Sequence, residues 1–356
     1  MHSQSPQLYM QTTLPTKLPS RFSNVESLED FMTEPSPTLI RDMEALQGDV
    51  MILGVGGKMG PTLARLAKRA APQKRVIGVA RFSEHGLKAK LEKQGIECIA
   101  CDLLDMKAVQ QLPQIENIIF MAGHKFGANN QPDMTWAINA GVPFVVANVF
   151  AQSRIVVLST ACVYPFVDTS STGATESMPA DPPPGVYALT CVGREQMFLH
   201  RSKEQHTLGR LMRLSYAIDM RYGVLHDVAY AVFKGQPIDI SMGHVNVIWQ
   251  GDANEQALRL LMHCTDPMSP INITGPDITS IRWLAQSFAK LMGKPAQIIG
   301  QEAASAWLVD TRLSQSLLGV PRVDLTTMIE WTADWVIHER PILGKATHFG
   351  TRDGKY

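Results

Sequence analysis

The sequence predicts an α/β protein built on a doubly wound parallel sheet, with a smaller, mostly helical lobe toward the carboxyl terminus. Three observations predict it. From Asp49 onward, short apolar runs alternate with helical stretches, the pattern of strands covered by helices on both faces. The first run, Val50 to Leu53, passes directly into a glycine turn and then a helix. The composition, 45% apolar and 19% charged over 356 residues, is that of a globular chain able to bury a large core.

Residues 1 to about 20 are polar, proline-bearing and without periodicity, as in a segment that is disordered or draped over a partner. A helix follows, with Asn24 or Ser27 as cap and Val25, Leu28, Phe31 and Met32 as its apolar positions. Pro35-Ser36-Pro37 ends it before a second short helix, Thr38 to Leu46. Residues 1–47 thus form a partly helical extension that packs on the domain behind it or on a second subunit. A dinucleotide-type domain over 48–212 and a substrate lobe over 213–356 complete the organisation, with returns to the core sheet near 245–262 and 271–275.

The glycine turn is Gly54-Val55-Gly56-Gly57-Lys58-Met59-Gly60, between strand Val50–Leu53 and a helix from Pro61. Gly54 allows the tight turn, Gly57 lets the backbone approach a pyrophosphate, and Gly60 lets the helix sit close to the strand. The helix amino terminus, with Lys58 and Met59 in its approach, offers free N–H groups to an anion. Strand-like runs recur at Val76–Arg81, Ile96–Ala100, Asn117–Gly123, Ile155–Thr160, Leu208–Ser215 and Ile271–Gly275, giving a Rossmann-type sheet.

The Gly54, Gly57, Gly60 spacing resembles the extended or atypical short-chain dehydrogenase/reductases, the NAD-dependent epimerase/dehydratase family, and the likeness runs in order along residues 48 to 340. The resemblance implies cofactor roles for Asp102 and Leu103 after the third strand, for Ala122 and Gly123 after the fourth, for Lys125, and for Asn139 in a helix. After the second strand the chain has Arg81-Phe82-Ser83 and no acid until Glu84. Arg81 and Ser83 could receive a 2′-phosphate, which favours NADP over NAD; alternatively Arg81 stacks on adenine and suits either.

The same resemblance assigns the chemistry. Ser159-Thr160-Ala161-Cys162-Val163-Tyr164 is similar to the family's Ser/Thr-x-x-Val-Tyr element, which makes Thr160 the hydroxyl that orients the reacting oxygen, with Ser159 one register away. Tyr187 matches the tyrosine that exchanges a proton with that oxygen. The family's lysine four residues later is Cys191 here. A thiol carries neither its fixed charge nor its three donors. A tyrosine at its reference pKa of about 10 is ionised in about one molecule per thousand at pH 7. Oxidation of an alcohol suffers more from this than reduction of a carbonyl. Lys125, if its loop folds inward, or Arg194 could replace the lost charge; otherwise both face solvent. Cys191 as a nucleophile lacks an activating base.

Two departures bear on the substrate. Ser215-Tyr216-Ala217-Ile218-Asp219-Met220 stands where nucleotide-sugar enzymes have an asparagine and a Tyr-Gly-Pro turn, and Asn246 stands where they place a phosphate-holding arginine. A smaller ligand, such as a free sugar, sugar acid or hydroxy acid, suits a pocket of Thr160, Tyr187, His124, Tyr216 and His244, although both histidines also read as ordinary loop residues. The sequence leaves three functions open: an NAD(P)-dependent oxidoreductase or epimerase, a silent dinucleotide-binding sensor or scaffold, and a dehydratase-type lyase.

Lys+Arg and Asp+Glu balance at 33 each, so no nucleic-acid or anionic-membrane partner is expected and a small-molecule substrate is. The most apolar region, Val142 to Val163, is broken by Asn148, Gln152, Ser153 and Arg154 and does not read as a membrane span. Five cysteines without a framework, and an amino terminus lacking a basic-then-apolar signal, place the chain in the cytoplasm. Cys98 and Cys101 read as small apolar residues of a buried strand, and no metal site has ligand spacing. The resemblance implies a homodimer paired through helices near Tyr187.

Overall fold

A computed structural model of the chain describes residues 18–125, 127–345 and 347–352. The irregular segment expected at the amino terminus therefore lies almost wholly outside the described residues. Seven strands form the central sheet: β1 (Val50–Leu53), β2 (Val76–Ala80), β3 (Glu97–Ala100), β4 (Asn117–Phe120), β5 (Arg154–Thr160), β6 (Gly209–Leu214) and β7 (Ser269–Ile273). Their spatial order is β3-β2-β1-β4-β5-β6-β7, and every pairing is parallel. The order reverses between β1 and β4, which opens a crevice at the carboxyl ends of those strands, where doubly wound sheets bind ligands.

Strand alternation sorts the side chains onto two covered faces. Val50, Ile52, Ile119 and Val156 pack with Leu63, Ala64 and Ala67 of the helix Gly60–Ala70. Met51, Leu53, Phe120, Ile155 and Val157 pack on the other side with Val142, Val146 and Phe198. The carboxyl-terminal lobe has its own core, in which Val228, Leu284, Phe288 and Trp335 join the helices Val224–Lys234, Ile281–Met292 and Leu325–Ile337.

The amino-terminal helices close on the same chain and serve both cores. Asn24 and Ser27 make a reciprocal capping box at the start of Val25–Met32, and Leu28 and Met32 enter the lobe core. The second helix runs Pro37–Ala45, one residue earlier at each end than the sequence suggests, because Ser36 caps it and Pro37 fits its first position. Leu39 and Met43 enter the sheet core. Glu29 of the first helix pairs with Lys90 at 2.8 Å and with Arg221 of the lobe at 3.0 Å.

Candidate active site

Two cavities flank the glycine turn. The first, about 270 Å³, lies over the β1/β4 switch point and is lined by Gly54, Gly57, Arg81, Ser83, Glu84, Asp102, Leu103, Ala122 and Gly123. Gly54 has φ of +94°, and a Cβ there would lie 2.6 Å from the Ala122 backbone nitrogen. Gly60 is equally constrained, since a Cβ would lie 2.2 Å from the Val55 carbonyl oxygen. Gly57 differs: the nearest atom to its missing Cβ is 3.6 Å away, so its surface is an open cradle that a side chain would fill. An elongated anion laid along this turn meets backbone N–H groups and no obstructing side chain, and the site fits a dinucleotide.

The second cavity, about 210 Å³, lies on the other side of the turn. It is lined by Lys58, Met59, Lys125, Ser159, Thr160, Cys162, Tyr187, Tyr216, Tyr222, Trp307 and Thr347. Thr160 ends β5, its Oγ1 accepting the Cys162 N–H at 3.2 Å and capping a short 3₁₀ turn. Tyr187 sits on the first turn of the helix Val186–Gln205. Lys125 folds inward from the loop after β4, with Nζ 5.6 Å from the Tyr187 ring centroid. Burial lowers the pKa of Lys125, while the Cys162 and Cys191 thiols act the other way.

Cys191 stands where the resemblance implies a lysine, and it packs as a core residue. It is fully buried among Ala161, Val163, Tyr164 and Trp307, and it shares a hydrogen bond with Tyr187 one helical turn away. Burial pushes its thiol up to about 11, so it is a neutral packing group and not an activated nucleophile. Burial also pushes the Tyr187 phenol well above the ordinary tyrosine range, Cys191 and Cys162 add to the rise, and the Arg194 cation opposes it. Tyr187 is therefore a protonated acid at neutral pH.

Arg194 does not face solvent. It is 5% exposed, and its two terminal nitrogens donate to the Leu158 carbonyl at 2.7 Å and to Asn139 Oδ1 at 2.9 Å. A Cβ on Gly123 would lie 2.6 Å from that guanidinium, so the glycine makes room for a buried cation as well as lining the first cavity.

Several expected contacts are corrected by this geometry. Asn139 touches neither cavity: fully buried in a π-helical turn, it accepts from the His124 N–H at 2.8 Å and donates to the His124 carbonyl and to Thr190 Oγ1, both at 2.9 Å. Its side chain ties the loop after β4 to the helix Val186–Gln205. His124 turns its ring to Thr135 at 3.0 Å and is outside the lining. His244 pairs with Ser280 in a two-stranded ribbon, also away from the cavity. Ser159 borders the cavity, but its hydroxyl donates to Glu195 at 2.6 Å, and Glu195 is held by Arg213 at 2.7 Å. Asn246 is a strut that accepts the Val309 N–H at 3.0 Å. Lys125 lines the second cavity and not the first. Lys58, expected to serve the cofactor, sends its side chain across the second cavity to the Ala217 carbonyl, 3.1 Å away.

Tyr222, Trp307 and Thr347 escaped the sequence reading. They come from irregular segments remote from any motif, and only the fold of the lobe brings them to Tyr187. Among the described residues, no group of three or more histidine, cysteine, aspartate or glutamate side chains is placed to hold a metal ion, and no helix is long and apolar enough to cross a membrane.

No curated protein sequence matches the chain. Among solved structures, it is similar to UDP-glucose 4-epimerase from Thermotoga maritima, solved with UDP-glucose, at 15% identity and a TM-score of 0.67 over 82% of this chain and 99% of that one. It is similar to DesIV, a dTDP-glucose 4,6-dehydratase from Streptomyces venezuelae solved with NAD, at 16% identity and a TM-score of 0.68 over 81% and 96%. UDP-glucuronic acid 4-epimerase from Bacillus cereus, solved with UDP-glucuronic acid and NAD, aligns at 18% identity and a TM-score of 0.66 over 82% and 99%. These likenesses establish the fold, a Rossmann-type parallel sheet with flanking helices. The sequence of residues 50–217, from β1 through the glycine turn, Thr160 and Tyr187 to the end of β6, matches the NAD dependent epimerase/dehydratase family. Over that span the chain is similar to the NAD dependent epimerase/dehydratase family.

Proposed function

We propose that this chain is a dinucleotide-dependent epimerase or oxidoreductase acting on a small hydroxylated or carbonyl substrate, with Lys125 supplying the charge that Cys191 cannot. One observation carries the reading: Thr160, Tyr187 and the inward-folded Lys125 line one cavity beside the glycine turn. In this reading Gly54, Gly57 and the backbone of Lys58 and Met59 hold the pyrophosphate, and Asp102 and Leu103 flank the adenine. Arg81, Ser83 and Glu84 share the wall that would meet the ribose. Relatives of the fold are solved with NAD, which makes NAD the first cofactor to test. Arg81 and Ser83 make NADP the second.

The bound nicotinamide would supply a hydride donor or acceptor. The chain's own contribution is proton management at one oxygen. Thr160 fixes that oxygen, and the protonated Tyr187 donates to it as a carbonyl becomes an alcohol. Lys125, beside the ring, stabilises the phenolate left behind, and Arg194 adds positive potential from beneath the helix. Because burial keeps the phenol protonated, carbonyl reduction is the favoured direction. A silent binding protein is the second reading, supported by the neutral thiol at Cys191.

The UDP-glucose and UDP-glucuronic acid held by the similar structures make the sugar class the starting point for a screen. Calorimetric titration with NAD and NADP, followed by a screen of sugars, sugar acids and hydroxy acids for nicotinamide absorbance change, tests the proposal. Micromolar dinucleotide binding with turnover is expected. Binding without turnover would favour the silent reading. A homodimer belongs to the same proposal: the adjoining helices Pro132–Trp136, Val142–Val149 and Val186–Gln205 expose Met134, Trp136, Phe144 and Leu189. Light scattering on the purified protein checks it.

A further inference from the structure

Lys58 carries a second, unassigned property of the catalytic cavity. Its side chain leaves the glycine turn, donates to the Ala217 carbonyl at 3.1 Å and lies 4.0 Å from the centroid of the Tyr222 ring. Both partners are neutral. Among the described residues, no aspartate or glutamate lines the cavity. The acid that acts on Lys58 is Asp219, and it is already gripped by Arg221 at 2.7 Å, with Arg221 also taking Glu29 at 3.0 Å. Lys125, Arg221 and Lys345 act on Lys58 as well, all positive. The phenols of Tyr187, Tyr216 and Tyr222 are each held protonated by burial. Among the described residues the cavity is thus a small positive enclosure, walled by Trp307 and Thr347, with no carboxylate in its lining. A buried cation with neutral partners is unfavourable until an anion joins it.

We infer that the substrate carries an anionic group, a carboxylate in a molecule of sugar-acid or hydroxy-acid size, that Lys58 receives while the reacting oxygen meets Tyr187 and Thr160. This rests on the proposed function and narrows its substrate. Burial holds the Lys58 ammonium down to about 7, opposed by Asp219 and reinforced by the neighbouring cations. Anion binding restores the proton, so above pH 7 binding is coupled to proton uptake.

The test is calorimetry on the full chain, with and without saturating NAD or NADP, using tartrate, glucuronate, glucose and sulfate as probes. At least one carboxylate should bind tenfold or more tightly than glucose, weaken as pH rises from 6 to 8.5, and take up a proton at pH 8 when buffers of different ionisation enthalpy are compared. Lys58→Met should weaken that carboxylate at least tenfold more than it weakens the dinucleotide. Equal binding of glucose, binding of sulfate alone, or no binding by any probe overturns the inference. So does a Lys58→Met variant that loses dinucleotide and carboxylate by the same factor, which would assign Lys58 to the cofactor's pyrophosphate. Failure of the dinucleotide titration with carboxylate binding intact would instead sink the proposed function alone.

Discussion

The Lys125 ammonium lies 5.6 Å from the centre of the Tyr187 ring, inside the cavity that Thr160 also lines. The cation comes from the loop after β4 and not from the helix that carries Tyr187. Replacing it with the isosteric, uncharged methionine should lower kcat for carbonyl reduction by about a hundredfold, in the range of one lost proton-transfer partner. Lys125→Arg should recover part of that loss. Steady-state kinetics decide: a KM effect with unchanged kcat would make Lys125 a binding group only.

Restoring the family's lysine should harm this protein. Cys191 is fully buried in a packed cluster, and Cys191→Lys forces a longer, charged side chain into that space beside Lys125. Overpacking alone costs about 1–3 kcal/mol, and an unpaired buried charge adds to it. Thermal denaturation should show a lower Tm with no tighter dinucleotide binding. A gain in affinity or rate would show that the thiol is a decayed lysine.

Gly57 and Gly60 separate folding from ligand binding. A methyl group on Gly60 collides with the Val55 carbonyl at 2.2 Å, so Gly60→Ala should destabilise by about 3 kcal/mol or more. On Gly57 the same methyl meets nothing closer than 3.6 Å, so Gly57→Ala should keep the wild-type Tm yet weaken the dinucleotide at least tenfold. If Gly57→Ala binds the dinucleotide normally, the anion does not lie along this turn.

Asp252 gives the fold a pH dependence. Burial raises its carboxyl to about 7, with the Glu255 charge in support, while the Val323 N–H and Arg322 act against it. A raised carboxyl binds its proton more tightly in the folded chain, so its contribution is complete in acid and is lost as pH rises through about 7. Asp252→Asn keeps an acceptor for Val323 and removes the ionisation. Its Tm advantage should be small near pH 4, grow as pH rises through about 7, and reach roughly 3 °C or more at pH 8.5. An advantage that is flat across pH would remove ionisation as the cause.

The sheet was legible because its signal is local. Apolar runs of four to seven residues alternate faces, and the glycine turn announces which strand comes first. The helix cap at Asn24 and the turn at Gly54 likewise need only neighbouring residues. The site was legible only along the same local stretches. Thr160, Tyr187 and the inward possibility for Lys125 could be placed, but the direction of a long side chain could not. Lys58 was read through its backbone, whereas its ammonium sits across the second cavity. His124 and Asn139 had the spacing of site residues, yet their polar atoms are taken by Thr135, Thr190 and Arg194. Those bonds join segments that have no pattern in common.

The ring cluster under the first helix also constrains how the chain is made. Phe22 packs edge-on against Trp331 at 4.8 Å and parallel to Trp249 at 6.4 Å, and the Trp331 indole donates to the Pro19 carbonyl at 2.7 Å. This segment leaves the ribosome before its partners do. The sheet strands can pair as they emerge, but Phe22 stays without Trp331 until the helix Leu325–Ile337 exists. A ribosome stalled before that helix emerges would therefore hold the amino-terminal helices without the aromatic cover that Trp331 gives them.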